Sequence, residues 1–395
     1  MSISVPDSRN IQPPTPVDGL RVMMVDDSVV IRGLVSKWLR EREEVSKVDT
    51  YRNGRYAVEA LEKDNPDIVI LDIEMPEMDG IEALQNIKRM KPDLPVIMAS
   101  SLTQRNAEIS LRALSLGATD YVPKPESNSG VTTSLDFRRD LIAKTIELGK
   151  QVNRSRKTPV ETRTTQAPTA DIQQGAQAQP AAPIPTAPEP QALQLREASP
   201  IIPRVLAIGS STGGPIALSS VLKGLGPSLT QCPIIIAQHM PHKFTAILAK
   251  QLASETDRPC AEGVDGEEVR KGHIYVAPGG KHMVVKKDGA VNRIAIEDGP
   301  LVNFCKPAVD PLFNSVAKVY GNASLALILT GMGSDGCEGA KEIVATGGTV
   351  ITQDENSSVV WGMPGAVANA GVCSAILPLE ELPMKITKLM KGMRT

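Results

Sequence analysis

Residues 205–215 read Val-Leu-Ala-Ile-Gly-Ser-Ser-Thr-Gly-Gly-Pro. An apolar run enters a turn of small residues, and Pro215 then suits the opening of a helix, where its fixed φ and missing N–H cost nothing. A strand that passes through glycines straight into a helix is a unit of a parallel sheet covered by helices. The pattern recurs at Pro233–Ala237, followed by Gln238-His239-Met240-Pro241 with a helix expected from Pro241. It recurs again at Ser324–Thr330, followed by Gly331-Met332-Gly333-Ser334-Asp335-Gly336 and a helical stretch. Nearer the N-terminus, strand patterns at Leu20–Val25, Val45–Thr50, Asp67–Leu71, Pro95–Ala99 and Thr119–Val122 alternate with helical patterns. Those helices are expected at Ser28–Arg42, Gly54–Lys63, Gly80–Met90, Gln104–Leu116 and Ser134–Lys150. Both parts of the chain read as α/β: a five-stranded parallel sheet first, then a doubly wound, mostly parallel one.

Composition separates the two parts. Residues 151–200 hold eight prolines, eight glutamines, nine alanines and no aromatic residue. Such a segment cannot bury enough apolar surface to offset its ordering entropy, which predicts a disordered linker over 149–200. A shorter tail of the same kind is expected over 1–19, leaving domains at 20–148 and 201–395 of the 395-residue chain. With 43 Lys+Arg against 45 Asp+Glu, the net charge of −2 speaks against a nucleic-acid binder, which needs a positive surplus. No apolar run approaches the roughly 20 residues of a membrane helix, and the N-terminus lacks the apolar core of a secretory signal. Five scattered cysteines without a C-x-x-C pair fit neither a disulfide framework nor a cysteine zinc site. A cytoplasmic protein, not embedded in a membrane, is expected.

In parallel sheets, ligands gather at the carboxyl ends of the strands. Asp26 and Asp27 follow the first strand, Asp72 closes the third, Ser100 ends the fourth and Lys124 follows the fifth. Three carboxylates at one edge suit a hard divalent cation, and a hydroxyl and an ammonium beside them suit phosphoryl oxygens. A strand-end Asp taken alone is more often a helix cap. The pieces VDDS at 25–28, ILDIEMPEMDG at 70–80, ASS at 99–101 and YVPKP at 121–125 resemble those of response-regulator receiver domains. The resemblance implies a flavodoxin-like fold, with Asp72 phosphorylated by a chemotaxis histidine kinase and Mg²⁺ held by Asp26, Asp27 and Asp72. It also implies Ser100, Lys124 and Tyr121 as switch residues.

In the second block, the glycines at 209–214 could cradle a phosphate at the helix N-terminus. Equally, Gly209-x-Ser211-x-Gly213 matches a nucleophile elbow, in which small residues expose a serine on a sharp turn. The spacing fits neither G-x-G-x-x-G nor a Walker loop. His239 and Asp335 follow other strands, so Ser, His and Asp share one sheet edge, the ingredients of an activated serine. Blander roles exist: Ser211 and Asp335 could cap the helices they precede, and His242, His273 and His282, the last expected in a Gly-Gly-Lys-His turn, compete with His239. The stretches IGSSTGG, QHMP, YVAPG, EDGP, LTGMGSDG and QDENSSVVWGMPGAV are similar to those of the chemoreceptor glutamate methylesterase domain. With the receiver in front, the architecture resembles the chemotaxis response-regulator methylesterases. That resemblance implies Ser211 as nucleophile, His239 as base and Asp335 as the acid orienting it, with Thr212 and the Met332 backbone at the oxyanion. It further implies methylated chemoreceptors as substrate, glutamine deamidation as a side activity, and no cofactor for the esterase. Phe304-Cys305 departs from the basic pair often found at that place.

Overall fold

The computed structural model describes residues 19–125, 134–157 and 195–393. The chain divides into two compact units, Met1–Lys150 and Gln151–Thr395.

In the first unit, β1 (Leu20–Val25), α1 (Val29–Arg40), β2 (Val45–Tyr51), α2 (Gly54–Asp64) and β3 (Ile68–Asp72) lead into α3 (Gly80–Met90). Then come β4 (Val96–Ser101), α4 (Gln104–Ser115), β5 (Asp120–Lys124) and α5 (Leu135–Lys157). The five strands pair in parallel in the order β2-β1-β3-β4-β5. Strand β3 is buried along its whole length, as a central strand with helices on both faces must be. Short polar side chains start the helices: Ser28, Asn53, Asp79 and Thr103 each accept an amide of the following turn. Gly80 opens α3 so close to β3 that a Cβ there would lie 2.1 Å from the Asp72 carbonyl oxygen. Only glycine permits that approach, and it brings the helix start to the end of the strand that bears Asp72.

The second unit runs β6 (Val205–Ser210), α6 (Gly214–Leu225), β7 (Ile234–Gln238), α7 (Phe244–Thr256), β8 (Cys260–Glu262) and β9 (Ile274–Val276). A hairpin of β10 (His282–Asp288) and β11 (Val291–Glu297) follows, then α8 (Val309–Tyr320), β12 (Ser324–Ile328) and α9 (Cys337–Ala345). The unit closes with β13 (Thr349–Gln353), α10 (Met363–Asn369), β14 (Ala375–Leu377) and α11 (Leu382–Met390). Seven strands form a parallel sheet in the order β14-β13-β12-β6-β7-β9-β8. The chain proceeds from β6 outward through β7 and returns to β12 on the other side of β6. The order therefore reverses at β6/β12, the switch point where open α/β sheets place their ligands. The antiparallel hairpin β10–β11 is separate from this sheet; Met283, Val285 and Ile294 join the buried cluster around Leu312, Phe313 and Val316 of α8.

Three expectations are corrected. The linker is narrower than 149–200, because α5 continues to Lys157 and residues 195–200 bind the second unit. There the Arg196 amide donates to the Cys373 carbonyl and the Ser199 amide to Thr349 Oγ1, at 2.8 and 2.9 Å. Its remainder, 158–194, and the tail 1–18 lie outside the described residues. The helix after β7 starts at Phe244 instead of Pro241, since a turn closed by the Phe244 amide on the Pro241 carbonyl and a positive φ at Lys243 intervene. His282 sits in a strand, not a turn, and is buried. Among the described residues, no helix is long and apolar enough to cross a membrane.

Candidate active site and acidic pocket

Strand β6 ends at Ser210, and the chain then turns sharply. Gly213 takes a positive φ of 74°, and the Gly214 amide donates to the Ser211 carbonyl at 2.8 Å. Helix α6 starts at Gly214, with Gly213 as its cap and no side-chain cap bond, so the Ser211 hydroxyl is not spent on its own helix. Behind it lies Gly331, where a Cβ would approach Ser211 Cβ to 2.8 Å. The turn thus presents Ser211 at the switch point between β6 and β12.

His239 follows β7, and its amide donates to the Ser210 carbonyl at 3.0 Å. Its Nε2 lies 2.7 Å from Asp335 Oδ2. Asp335, 1% exposed, does not cap the helix it precedes, whose cap is Gly336. Instead it reaches the start of α8: Oδ2 accepts the Val309 amide at 2.6 Å and Oδ1 the Asp310 amide at 3.1 Å. Oδ1 also accepts the Gly336 amide at 3.0 Å and Asn303 Nδ2 at 2.9 Å. Burial alone would push the Asp335 carboxyl up; the bond to His239, its charge and these amides outweigh burial and hold it down at about 2. Burial likewise opposes a charged His239 ring, but the bonds to Asp335 and Cys305 raise it to about 10. The two shifts agree in describing an ion pair. Among the described residues Ser211 Oγ makes no hydrogen bond, and the second ring nitrogen, Nδ1, faces Cys305 Sγ at 3.4 Å.

The expected oxyanion groups border the same turn. Thr212 Oγ1 is buried without a hydrogen-bond partner, and the Thr212 and Met332 amides donate to no group among the described residues. Of the rival histidines, His242 lies in the turn before α7 and His273 just before β9. His282 is held structurally, its Nδ1 accepting the Ala308 amide at 3.2 Å and its Nε2 donating to the Pro300 carbonyl at 2.8 Å.

Four residues around this centre are given no role in it by the sequence reading. Gln238 Nε2 donates to the carbonyls of both Ser211 and His239, at 2.9 and 3.2 Å, while its Oε1 accepts the Ser210 hydroxyl at 2.6 Å. Gly214 leaves room for that amide, since a Cβ there would lie 2.1 Å from Gln238 Oε1. Asn303 Nδ2 bridges Asp335 and Asp310, donating at 2.9 Å to each. Burial and the neighbouring Asp335 charge raise the Asp310 carboxyl above its ordinary value. Cys305 is the fourth. Polar residues next to a strand-end Ser, His or Asp are the signal that points to Gln238; Asn303 and Cys305 lie far from all three in sequence.

The first unit holds a separate acidic pocket. Oxygens of Asp26, Asp27 and Asp72 lie within 4.8 Å of one another, with Asp26 and Asp72 buried and Asp27 exposed. Lys124 Nζ lies 2.6 Å from Asp72 Oδ1 and 3.0 Å from Asp26 Oδ2. Burial raises the Asp72 carboxyl to about 6, with the Asp26 charge adding and the Lys124 charge opposing. A cluster of hard oxygens with more negative charge than one ammonium can neutralise fits a divalent cation. Asp26 Oδ1 also accepts the Ser28 amide at 2.9 Å, so it shapes the start of α1 as well. Ser100 is turned to α4, its Oγ 2.8 Å from Ser110 Oγ. Tyr121 is buried, with Lys144 Nζ 5.4 Å from its ring centre.

A family model described as CheB methylesterase matches residues 206–386, and one described as response regulator receiver domain matches residues 22–136. A protein-glutamate methylesterase/protein-glutamine glutaminase of group 2 operon from Bradyrhizobium diazoefficiens is 53% identical over 378 residues, 95% of either chain. A protein-glutamate methylesterase/protein-glutamine glutaminase from Rhodopseudomonas palustris is 51% identical over 398 residues, 100% of either chain. The crystal structure of the Thermotoga maritima CheB methylesterase catalytic domain is 38% identical, covering 48% of this chain and 100% of that one at a TM-score of 0.46.

Proposed function

Because the chain belongs to the family of protein-glutamate methylesterases/protein-glutamine glutaminases with an N-terminal receiver domain, we propose that it hydrolyses γ-glutamyl methyl esters on chemoreceptors. The observation that supports this reading best is the His239–Asp335 bond of 2.7 Å beside the sharp turn that carries half-buried Ser211, at the point where the strand order reverses. Asp335 keeps Nε2 protonated and the ring oriented, which leaves Nδ1 to act as the base. In the reaction, Nδ1 takes the Ser211 proton as Oγ bonds to the ester carbonyl carbon. The carbonyl oxygen becomes an oxyanion facing the Thr212 and Met332 amides, where losing one donor costs about 2.7–4 kcal/mol. Collapse expels methoxide, which leaves as methanol with the proton from His239. Water, deprotonated by the same nitrogen, then attacks the acyl-enzyme and releases glutamate and Ser211. A glutamine side chain would follow the same course with ammonia as leaving group.

The first unit, on this reading, is the control element. Asp72 accepts a phosphoryl group from a chemotaxis histidine kinase in the cytoplasm. Asp26, Asp27 and Asp72 would hold Mg²⁺, which when bound neutralises charge on the transferring phosphoryl group. Lys124 and Ser100 would meet the new phosphoryl oxygens, with Tyr121 following the switch. The decisive experiment is methanol release from methylated receptor membranes, paired with labelling by an organophosphonate. Label on Ser211 and loss of both signals in Ser211→Ala are expected; unlabelled, fully active Ser211→Ala protein would refute the reading.

A further inference from the structure

Between β11 and α8 the chain reverses in two residues. The Val302 amide donates to the Cys305 carbonyl at 3.1 Å and the Cys305 amide to the Val302 carbonyl at 2.8 Å. The residues between them, Asn303 and Phe304, both have positive φ, 51° and 62°. Paired positive φ values mark the tightest hairpin turns; Asn tolerates them, whereas Phe is strained there. Phe304 is also 73% exposed, so burying its ring is not what the strain supports. What the turn accomplishes is visible at its flanks. Asn303 Nδ2 meets Asp335, and Cys305 Sγ meets His239 Nδ1.

The thiol therefore occupies the one ring nitrogen that Asp335 leaves available. In the charged ring Nδ1 carries a proton and faces the Cys305 sulfur; in the neutral ring it offers one lone pair, which accepts one donor at a time. With Nε2 committed to Asp335, Nδ1 is where a Ser211 proton has to go, yet Ser211 Oγ is unbonded among the described residues and Cys305 stands at that position. We propose that Cys305 is a positioning residue that, once the ring of His239 is neutral and able to act as base, competes with the Ser211 hydroxyl for Nδ1. The serine is activated when the thiol gives way. A thiol is a weak donor, which makes it a displaceable holder. A hydroxyl in its place would hold the ring more firmly, and a methyl group would not hold it at all. This inference rests on the catalytic reading of Ser211, His239 and Asp335.

The test compares steady-state hydrolysis of methylated receptor by full-length wild type, Cys305→Ala, Cys305→Ser and Ser211→Ala. Competition for one lone pair predicts a kcat order of Ala above Cys above Ser, each step roughly two- to tenfold, with KM little changed. A purely structural role would give no opposite response to Ala and Ser, and Ser is close enough in size to keep the fold. With Ser211→Ala inactive, a Cys305→Ala kcat at or below wild type, or a Cys305→Ser kcat at or above it, overturns the inference alone. Wild-type turnover by Ser211→Ala would overturn the catalytic reading and the inference with it.

Discussion

Asp335 Oδ2 accepts the Val309 amide at 2.6 Å, so the carboxylate paired with His239 is also the cap of a helix 25 residues and more upstream in sequence. Orientation of the imidazole and the start of α8 depend on one side chain. The carboxylate is fixed by backbone amides that cannot swing away, which limits the ring to a narrow set of orientations.

Removing that side chain should therefore damage both fold and rate. Asp335→Ala is expected to lose about 2–4 kcal/mol of stability, because it strips the cap of α8 and leaves a buried imidazole without its partner. Asp335→Asn, which can still accept amides, should recover part of the stability and little of the activity. Urea melts and methanol release, measured together, check the pairing. Activity and stability restored in parallel by Asn would contradict it. Combined with Ser211→Ala, Asp335→Ala should cost almost nothing further, since members of one relay do not add.

The four histidines should separate cleanly. His239→Ala is expected to lower kcat by roughly 10³-fold or more. His242→Ala and His273→Ala should leave kcat near wild type, whereas His282→Ala should lower the melting temperature by removing the group that joins Ala308 to Pro300. A kcat loss in His242→Ala exceeding that in His239→Ala would mean that the base is misassigned.

The His239–Asp335 ion pair ties stability and rate to pH in opposite directions. The ring's value in the fold, about 10, lies above its ordinary 6.5. Its contribution to stability is thus fully present below pH 6.5 and disappears as pH rises through 10. On the proposed mechanism the neutral ring is the base, so turnover should climb over the same interval. Stability of wild type relative to His239→Gln should be greatest near pH 6 and smallest near pH 10. A flat difference would show that the pair is not ionic.

Phosphorylation of Asp72 is expected to raise esterase activity. Methanol release would be followed side by side for the full-length chain, the chain treated with a small phosphodonor, Asp72→Ala, and a fragment comprising residues 195–395. The phosphorylated chain and the fragment should be faster than the untreated chain, with Asp72→Ala remaining at the low rate. Equal rates for all four would leave the first unit without an inhibitory role. Independently, Asp72→Asn should stabilise the first unit above pH 6, by about 1–3 kcal/mol, since a raised carboxyl costs stability when ionised.

The sheets were legible in the sequence because buried parallel strands are short apolar runs that end in turn residues, and every strand bearing Ser211, His239, Asp335 or Asp72 is of that kind. The hairpin β10–β11 and the strands β8, β13 and β14 were not: half-exposed strands such as Val291–Glu297 mix polar and apolar residues, and β8 and β14 are only three residues long. At the candidate site, proximity to strand ends singled out three residues. It could not reveal that Asp335 caps α8 instead of its own helix, because that depends on how β12 sits against a helix formed earlier in the chain. Nor could it find Asn303 and Cys305, which a two-residue turn delivers from a loop with no periodic pattern. Asp310 reads as an ordinary first-turn acid and becomes part of the site only through Asn303.

Gln238 bonds to the carbonyls on both sides of the gap between Ser211 and His239. The two turns are therefore stapled together, and the distance between their backbones is not free to change while that amide stays in place. Closing the serine–histidine bond is then left to rotation about side-chain torsions, with no loop required to open or shut. Rotamer changes run far ahead of loop rearrangements in time. On the proposed mechanism the staple makes assembly of the reactive pair a fast local event, so slow steps in turnover should arise elsewhere, in binding the protein substrate or releasing the product.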